Sequence, residues 1–516
     1  MTTSEVSDVV VIGAGHNALI CAAYLAVAGL EVTVLEAAPT VGGDTRTEQL
    51  TLPGFAHDSC SSAHVLIQSN PLMRDDELGL MATYGLRYLH TDPAVVLPQP
   101  DGDLLVMRRD VDACVDEVAR FSADDATAFR SMIDDWRSGM AQVHGRWSSG
   151  LPLGEGRPVR RYAQLRQRSA WDVVHERFSS PTVRSFVLWL AMATIQDPRR
   201  AGTGFLPSSL TAGRLSFGWS TPIGGSQALP DSLVRLLHDH GGTVVCSALV
   251  DTVEVSGGRV TAVRTNDGRR FEARRAVVSS AHLARLGSML AGSGAPEDLV
   301  DAAARWRPGL AVFAVHAALR NDLRFKSADG PVASVAAGYG SASGMARQVE
   351  AHWNGEADPT DPWLLVVDQT VVDPERAPGN AATFKILTIA PYERSDGRSW
   401  ADTKDAFAAD LLEVVRRRAA GLEEQDILAL HVESPVDVAG HNVHNLGGSC
   451  HGGEFSTPEG GVIPGWTSYT TSIEGLFLTG ATTHPGGSVS GRPGRNAARV
   501  VLGALGIDPG TVMGPD

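Results

Sequence analysis

Cysteine is scarce in this chain: Cys21, Cys60, Cys114, Cys246 and Cys450 are spread over 516 residues, odd in number and with no C-x-x-C pair. So thin a set excludes a disulfide framework and suits a reducing compartment. It supplies no close thiol pair to act as a redox disulfide and no Cys/His run with zinc spacing, so no metal site is expected. Each cysteine reads as a small buried hydrophobe. Positive charge is also short, with 44 Lys and Arg against 59 Asp and Glu and a net charge of -15. That balance argues against nucleic acid as a partner and leaves peripheral membrane contact open only through a local basic patch. Membrane-spanning runs are missing too. His16 and Asn17 interrupt the apolar stretch from Val9, residues 1–7 offer Glu5 but no basic flank for a signal peptide, and the apolar run 185–193 is too short for a bilayer. The expectation is a soluble, cytoplasmic protein of two or three domains.

What the chain does have begins at residue 8. Val9-Val10-Val11-Ile12 has the composition of a buried parallel strand, and Gly13-Ala14-Gly15-His16-Asn17-Ala18 fits G-x-G-x-x-G/A. Leu19, Ala22, Ala23, Leu25 and Ala26 then follow at helical spacing until Gly29, and a strand from Val32 to Leu35 ends on Glu36. Each position has a physical reason. Gly13 permits the tight turn, Gly15 lets the backbone approach a pyrophosphate, Ala18 lets helix pack on strand, and the helix amides face the phosphates. Glu36 stands about 20 residues further on, where an acid hydrogen-bonds a ribose hydroxyl. The spacing therefore predicts a dinucleotide site. A second glycine pair, Gly42-Gly43, follows in a loop.

Further along, Val95–Leu97 and Leu104–Val106 flank Asp101-Gly102, a hairpin signal. Two helices are expected between residues 110 and 147, the second starting at Ser122 with Asp125 three residues later. The run 185–193 reads as a buried helix. A helix at 230–240 leads into strands at 243–246, 249–255, 260–265 and 271–273, and 276–281 reads as a further buried strand. Strands at 310–315, 363–367 and 384–390 and a helix at 401–418 follow. Gly338-Tyr339-Gly340 has the wrong spacing for a second nucleotide fold. Near the end, 474–481 reads as a buried strand running into small residues, and Gly491-Arg492-Pro493-Gly494-Arg495-Asn496 opens a final helix, a second candidate anion cradle.

With GAGHNAL at 13–19, the Gly42-Gly43 loop, VVDPERAPGN at 371–380 and THPGGSVSGRPGRNAARV at 483–500, the chain resembles the phytoene desaturase superfamily of FAD enzymes. It is most similar to the branch holding flavin-type beta-carotene ketolases and pyridine nucleotide-disulphide oxidoreductase domain-containing protein 2. The resemblance implies non-covalent FAD, held by Gly13, Gly15, Ala18 and Glu36, by Gly42 and Gly43, by Val250 on the adenine side, and by Gly480, Gly491, Arg492, Pro493, Gly494 and Asn496 at the flavin end. Amine oxidases share the superfamily fold but carry arginine after the second glycine pair, where this chain has Asp44.

The expected architecture is α/β: a discontinuous Rossmann-like FAD-binding domain of the glutathione-reductase type, from residues 1–80, 222–300 and 441–516, with an inserted α+β substrate domain from 81–221 and 301–440. The expected activity is that of a FAD-dependent dehydrogenase or desaturase passing hydride from a largely apolar small molecule to flavin N5. A flavin-dependent carotenoid ketolase, an amine oxidase-like enzyme and a FAD-bearing regulatory protein are the alternatives. His64 and His484 are the candidates for a catalytic base. Neither the oligomeric state nor the electron acceptor is legible.

Overall fold

Val9 to Ile12 form the buried end of a longer strand, β1 (Glu5–Ile12), in the computed structural model, which describes residues 5–291, 296–328, 330–454 and 468–515. β1 lies at the centre of a parallel array. β2 (Val32–Leu35) pairs with it on one side and Arg270–Ser279 on the other, and Thr243–Val245 and Leu476–Leu478 extend the array outwards. The registers Ile12↔Leu35, Ile12↔Ser279 and Ser279↔Leu478 bring the carboxyl ends of these strands level. That shared edge is where open α/β sheets bind ligands.

The expected short strand at 271–273 and the buried one from 276 are a single element, Arg270–Ser279. Its first half pairs antiparallel with Arg259–Thr265, which pairs with Val250–Ser256, while its last residues pair with Leu476–Leu478. A strand that changes partners midway shows two hydrophobic patterns, so the sequence divides it. Helix α1 (His16–Val27), buried over most of its length, is packed between Ala228–Asp239 and the C-terminal helix Arg492–Ala504.

A second sheet runs Ile427–Glu433, Val312–Leu319, Ala382–Ile389, Leu364–Asp368, Ala336–Tyr339, Val95–Pro98 and Leu104–Met107. It is antiparallel apart from the pair Ala336–Tyr339 with Val95–Pro98. Its central strands are buried on both faces. Val312, Leu365 and Leu387 face a helical layer that includes Pro181–Met192 and Leu206–Phe217, while Phe313, Leu364 and Ile386 face Trp400–Arg416. Ser122 caps its helix as its spacing implies, accepting a hydrogen bond from the Asp125 N–H at 3.2 Å.

Two strands of this sheet, Ala336–Tyr339 and Ile427–Glu433, carry no clear signal in the sequence. The first contains Gly338, whose Cβ would lie 2.5 Å from the Trp189 ring, and is followed by Gly340, whose Cβ would lie 2.7 Å from the Pro362 carbonyl oxygen. These glycines serve close packing. Among the described residues no helix is long and apolar enough to cross a membrane.

Candidate active site

At the carboxyl edge of the parallel strands the chain turns sharply. Gly13 sits at φ +90°, and a Cβ there would lie 2.3 Å from Ser280 Oγ, which itself donates to the Ile12 carbonyl at 2.7 Å. No other residue fits that corner. Gly15 is the opposite case, since a Cβ at this position would meet nothing within 4 Å. It faces open space. Helix α1 starts there with no side-chain cap and no acid in its first turn, so its amides and positive dipole end are left free. The Gly42-Gly43 loop folds against this turn. The Gly42 N–H donates to the Ala14 carbonyl at 2.9 Å, and a Cβ on Gly43 would lie 3.3 Å from Gly15 Cα.

One cavity of about 610 Å³ opens from this cradle. Gly13, Gly15, Ala18, Glu36, Gly43, Val250 and Gly480 all line it, as do Ala248 beside Val250 and Ser488 and Val489 beyond Gly480. Glu36 accepts from the Ala14 N–H at 2.6 Å and the Ala38 N–H at 2.8 Å, which ties the second strand's end to the first turn. Further in, the walls become Val65, Leu66, Ile195, Leu210, Leu365 and Leu387. A groove for a nucleotide thus runs into an apolar chamber.

The remaining candidates lie off this cavity. Gly42 stands behind Gly43. Gly491 caps the C-terminal helix in the left-handed region, and a Cβ on Gly494 would lie 2.3 Å from the Asn17 carbonyl oxygen, so this glycine lets the final helix cross α1. Arg492 donates to Ser149 Oγ at 2.6 Å and to the Ser69 carbonyl at 3.0 Å, Pro493 follows it at the helix start, and Asn496 Nδ2 donates to the Ser148 carbonyl and to Tyr469 OH, each at 2.8 Å. These side chains tie the helix to its neighbours.

His64 and His484 are also held elsewhere. His64 is fully buried, with Nδ1 3.0 Å from Tyr88 OH and Nε2 3.1 Å from Ser226 Oγ, and burial depresses its pKa to about 3. His484 Nε2 donates to the Trp147 carbonyl at 2.6 Å, and its ring stands edge-on to Trp147. Neither lines the cavity. Four other histidines do line it: His16, His282, His444 and His451. Burial lowers the pKa of each, to about 4 for His16 and about 2 for His282, so all are neutral at pH 7. The Nε2 atoms of His16, His282 and His444 are buried without a partner. His16 stands inside the glycine motif, where spacing alone gives it no role. The others lie in loops whose approach only the fold reveals.

The thiols are a correction. Cys60 and Cys450, distant in sequence, both line the cavity and touch, and Cys450 Sγ lies 3.1 Å from His451 Nδ1. The neighbouring thiol and burial raise Cys60 well above the ordinary thiol range, which keeps it protonated. Absence of C-x-x-C excludes a local pair, not one assembled by folding. Asp44, at the position after the glycine pair, accepts from Asn442 Nδ2 at 2.9 Å and Asn445 Nδ2 at 3.0 Å.

A Rossmann cradle that opens into an apolar chamber has the build of a dinucleotide-binding protein with a second, apolar ligand site. Comparison with known proteins narrows this. The family model described as flavin containing amine oxidoreductase matches residues 19–502, and the chain belongs to that family. It is 26% identical to a subunit of the limonene dehydrogenase of Castellaniella defragrans, over 98% of this chain and 96% of that one. It is 24% identical to pyridine nucleotide-disulfide oxidoreductase domain-containing protein 2 of Mus musculus, over 96% and 93%. Phytoene desaturase (lycopene-forming) of Pseudescherichia vulneris is also 24% identical, over 93% and 96%. Among solved structures, a variant of putrescine oxidase superposes with a TM-score of 0.67 at 17% identity, covering 98% of this chain and all of that one, which supports the α/β FAD-binding fold. The protein is a FAD-dependent oxidoreductase of the phytoene desaturase superfamily. The open space at Gly15, the uncapped α1 amides and the unpartnered His16 Nε2 fit its cofactor, FAD.

Proposed function

We propose that the protein is a dehydrogenase or desaturase of a largely apolar small molecule, with residues 1–80, 222–300 and 441–516 forming the cofactor part and 81–221 and 301–440 the substrate part. The observation that carries this reading is the continuity of the nucleotide groove with walls of Val65, Leu66, Ile195, Leu210, Leu365 and Leu387. The names of two relatives, limonene dehydrogenase and phytoene desaturase, point to apolar substrates as well. Gly13, Gly15 and Gly43 with the α1 amides would hold the pyrophosphate, Glu36 the ribose and Val250 the adenine side, with Gly480, Ser488 and Val489 at the flavin end. Bound FAD supplies the hydride acceptor.

The chain's own part is to orient substrate, exclude water and take the proton. His451 suits the last role. It is neutral, it lines the cavity, and Cys450 engages its Nδ1, which leaves Nε2 with no protein partner among the described residues. Anaerobic mixing of the FAD-loaded protein with terpenes, carotenoids, their alcohols and their carboxylic acids tests the reading. Loss of the oxidised flavin absorbance with at least one of them is the expected result. If dithionite bleaches the flavin but no apolar compound does, the reading fails.

A further inference from the structure

The cavity contains a cation with no hydrogen-bond or ion-pair partner among the described residues. Arg214 is carried by the helix Leu206–Phe217, which fits tightly against the chamber wall: a Cβ on Gly213 would lie 3.3 Å from Val65 Cγ1. Arg214 is 4% exposed and lines the cavity. Its guanidinium makes no hydrogen bond or ion pair with the described residues, and Nε and Nη1 are buried without an acceptor. What lies against it is the face of Trp219, 4.5 Å from the guanidinium carbon. Trp219 lines the same chamber, and its indole N–H also lacks an acceptor.

Two other buried arginines are met by carboxylates. Arg376 reaches Asp58 at 2.7 Å and Asp373 at 2.9 Å, and Arg495 reaches Glu77 at 2.6 Å. Among the described residues no acidic side chain acts on Arg214. Burial is the sole influence on its pKa, lowering it to about 10, so the group is still charged at pH 7. Guanidinium and indole nitrogens can only donate, and a buried unpaired cation is costly. The missing partner is therefore an acceptor, best a planar anion that the fork of an arginine can grip with two parallel bonds. The lining of this cavity is mainly apolar, with Val65, Leu210, Leu365 and Leu387 among it, so the rest of that partner is apolar.

We propose that Arg214, with Trp219, seats the head group of the substrate, which is an apolar molecule ending in a carboxylate. This rests on the reading of the chamber as the substrate site. Anchoring the carboxylate fixes which carbon of the tail faces the cofactor. It also selects against a protonated amine, which Arg214 repels, and against a neutral hydrocarbon, which leaves the charge bare.

The test uses the FAD-loaded full chain and three probes of one chain length, decanoate, decanol and decylamine, with affinity read by calorimetry and by perturbation of the flavin spectrum. Decanoate is expected to bind at least about tenfold more tightly than decanol, with decylamine weakest. Arg214→Met should retain FAD and decanol affinity while losing the preference for decanoate. Trp219→Phe, which keeps a ring and removes the N–H, should lower decanoate affinity severalfold and spare decanol, and it decides the matter if Arg214→Met does not fold. Equal binding of decanoate and decanol, tighter binding of decylamine, or a preference that survives both substitutions overturns the proposal. If none of the three probes binds to FAD-loaded protein, the substrate-chamber reading itself falls, and this proposal with it.

Discussion

At the scale of single residues, the histidines separate by what their nitrogens touch. His64 bridges Tyr88 OH and Ser226 Oγ in a sealed interior, whereas His451 faces the cavity with one nitrogen engaged by Cys450. His451→Gln should slow anaerobic flavin reduction by about a hundredfold, the lower range for loss of a general base, and leave FAD content unchanged. His64→Leu removes the partner of the Tyr88 hydroxyl and one of the two partners of Ser226 Oγ, which keeps its bond to the Ser61 carbonyl at 2.6 Å, and should cost about 1–3 kcal/mol of stability, read as a lowered melting temperature. Its reduction rate per bound FAD should stay within about twofold. The two motif glycines differ in the same way. Gly13→Ala meets Ser280 Oγ at 2.3 Å and an unfavourable φ of +90°, so it should lower the yield of folded protein.

At the scale of elements, the C-terminal helix is fastened to α1 by a buried polar cluster. Arg495 donates to Glu77 through Nε at 2.8 Å and Nη2 at 2.6 Å, and the same Glu77 carboxylate accepts from Tyr24 OH on α1. Glu77→Ala removes the carboxylate that this buried guanidinium reaches at 2.6 Å and should cost about 3–5 kcal/mol, seen as a large drop in the unfolding midpoint. This junction shows where sequence reading reaches its limit. Strand, turn, helix and acid at residues 8–36 are legible because they are consecutive, and their spacing sets their relative positions in space. Glycines before the final helix are legible as a helix start, but the same pattern serves an anion cradle or a close helix crossing. At Gly494 the decisive neighbour is Asn17, which spacing along the chain cannot reveal. Arg214 gives no signal either, because an arginine in a helix reads as exposed until the absence of a partner is seen.

At the scale of the whole molecule, the second sheet and the cavity are assembled from segments far apart in sequence. The contact between Cys60 and Cys450 and the layer that brings Leu365 and Leu387 to the chamber are therefore outside the reach of local patterns. The same long-range assembly sets the pH dependence. His441 lies 3.0 Å from Glu433 on the second sheet and 3.1 Å from Glu48 in the short strand Thr47–Glu48, and these carboxylates raise its pKa to about 9. A histidine raised above its unfolded value of about 6.5 contributes fully below that pH, and the contribution is lost as pH climbs through 9. The melting temperature should thus fall between pH 7 and 9.5, and His441→Gln, weaker by about 2 kcal/mol at pH 7, should flatten that decline. On the acid side the sign reverses. His57 and His64 are depressed to about 3 by burial, so stability should drop as pH falls below about 6.5, where the unfolded chain takes up protons that the native one refuses.

The central claim is that one FAD lies across the first glycine turn, in the space that Gly15 leaves open. Gly15 has φ -69°, and a Cβ there would meet no atom within 4 Å, so Gly15→Val should keep the fold while its branched side chain blocks the pyrophosphate. The measurement is FAD retained per chain after incubation with excess FAD and gel filtration, with circular dichroism confirming the fold. The account predicts stoichiometric FAD on the native protein and almost none on the folded variant. A folded Gly15→Val protein as yellow as the native one, or a native protein that cannot be loaded, would contradict it.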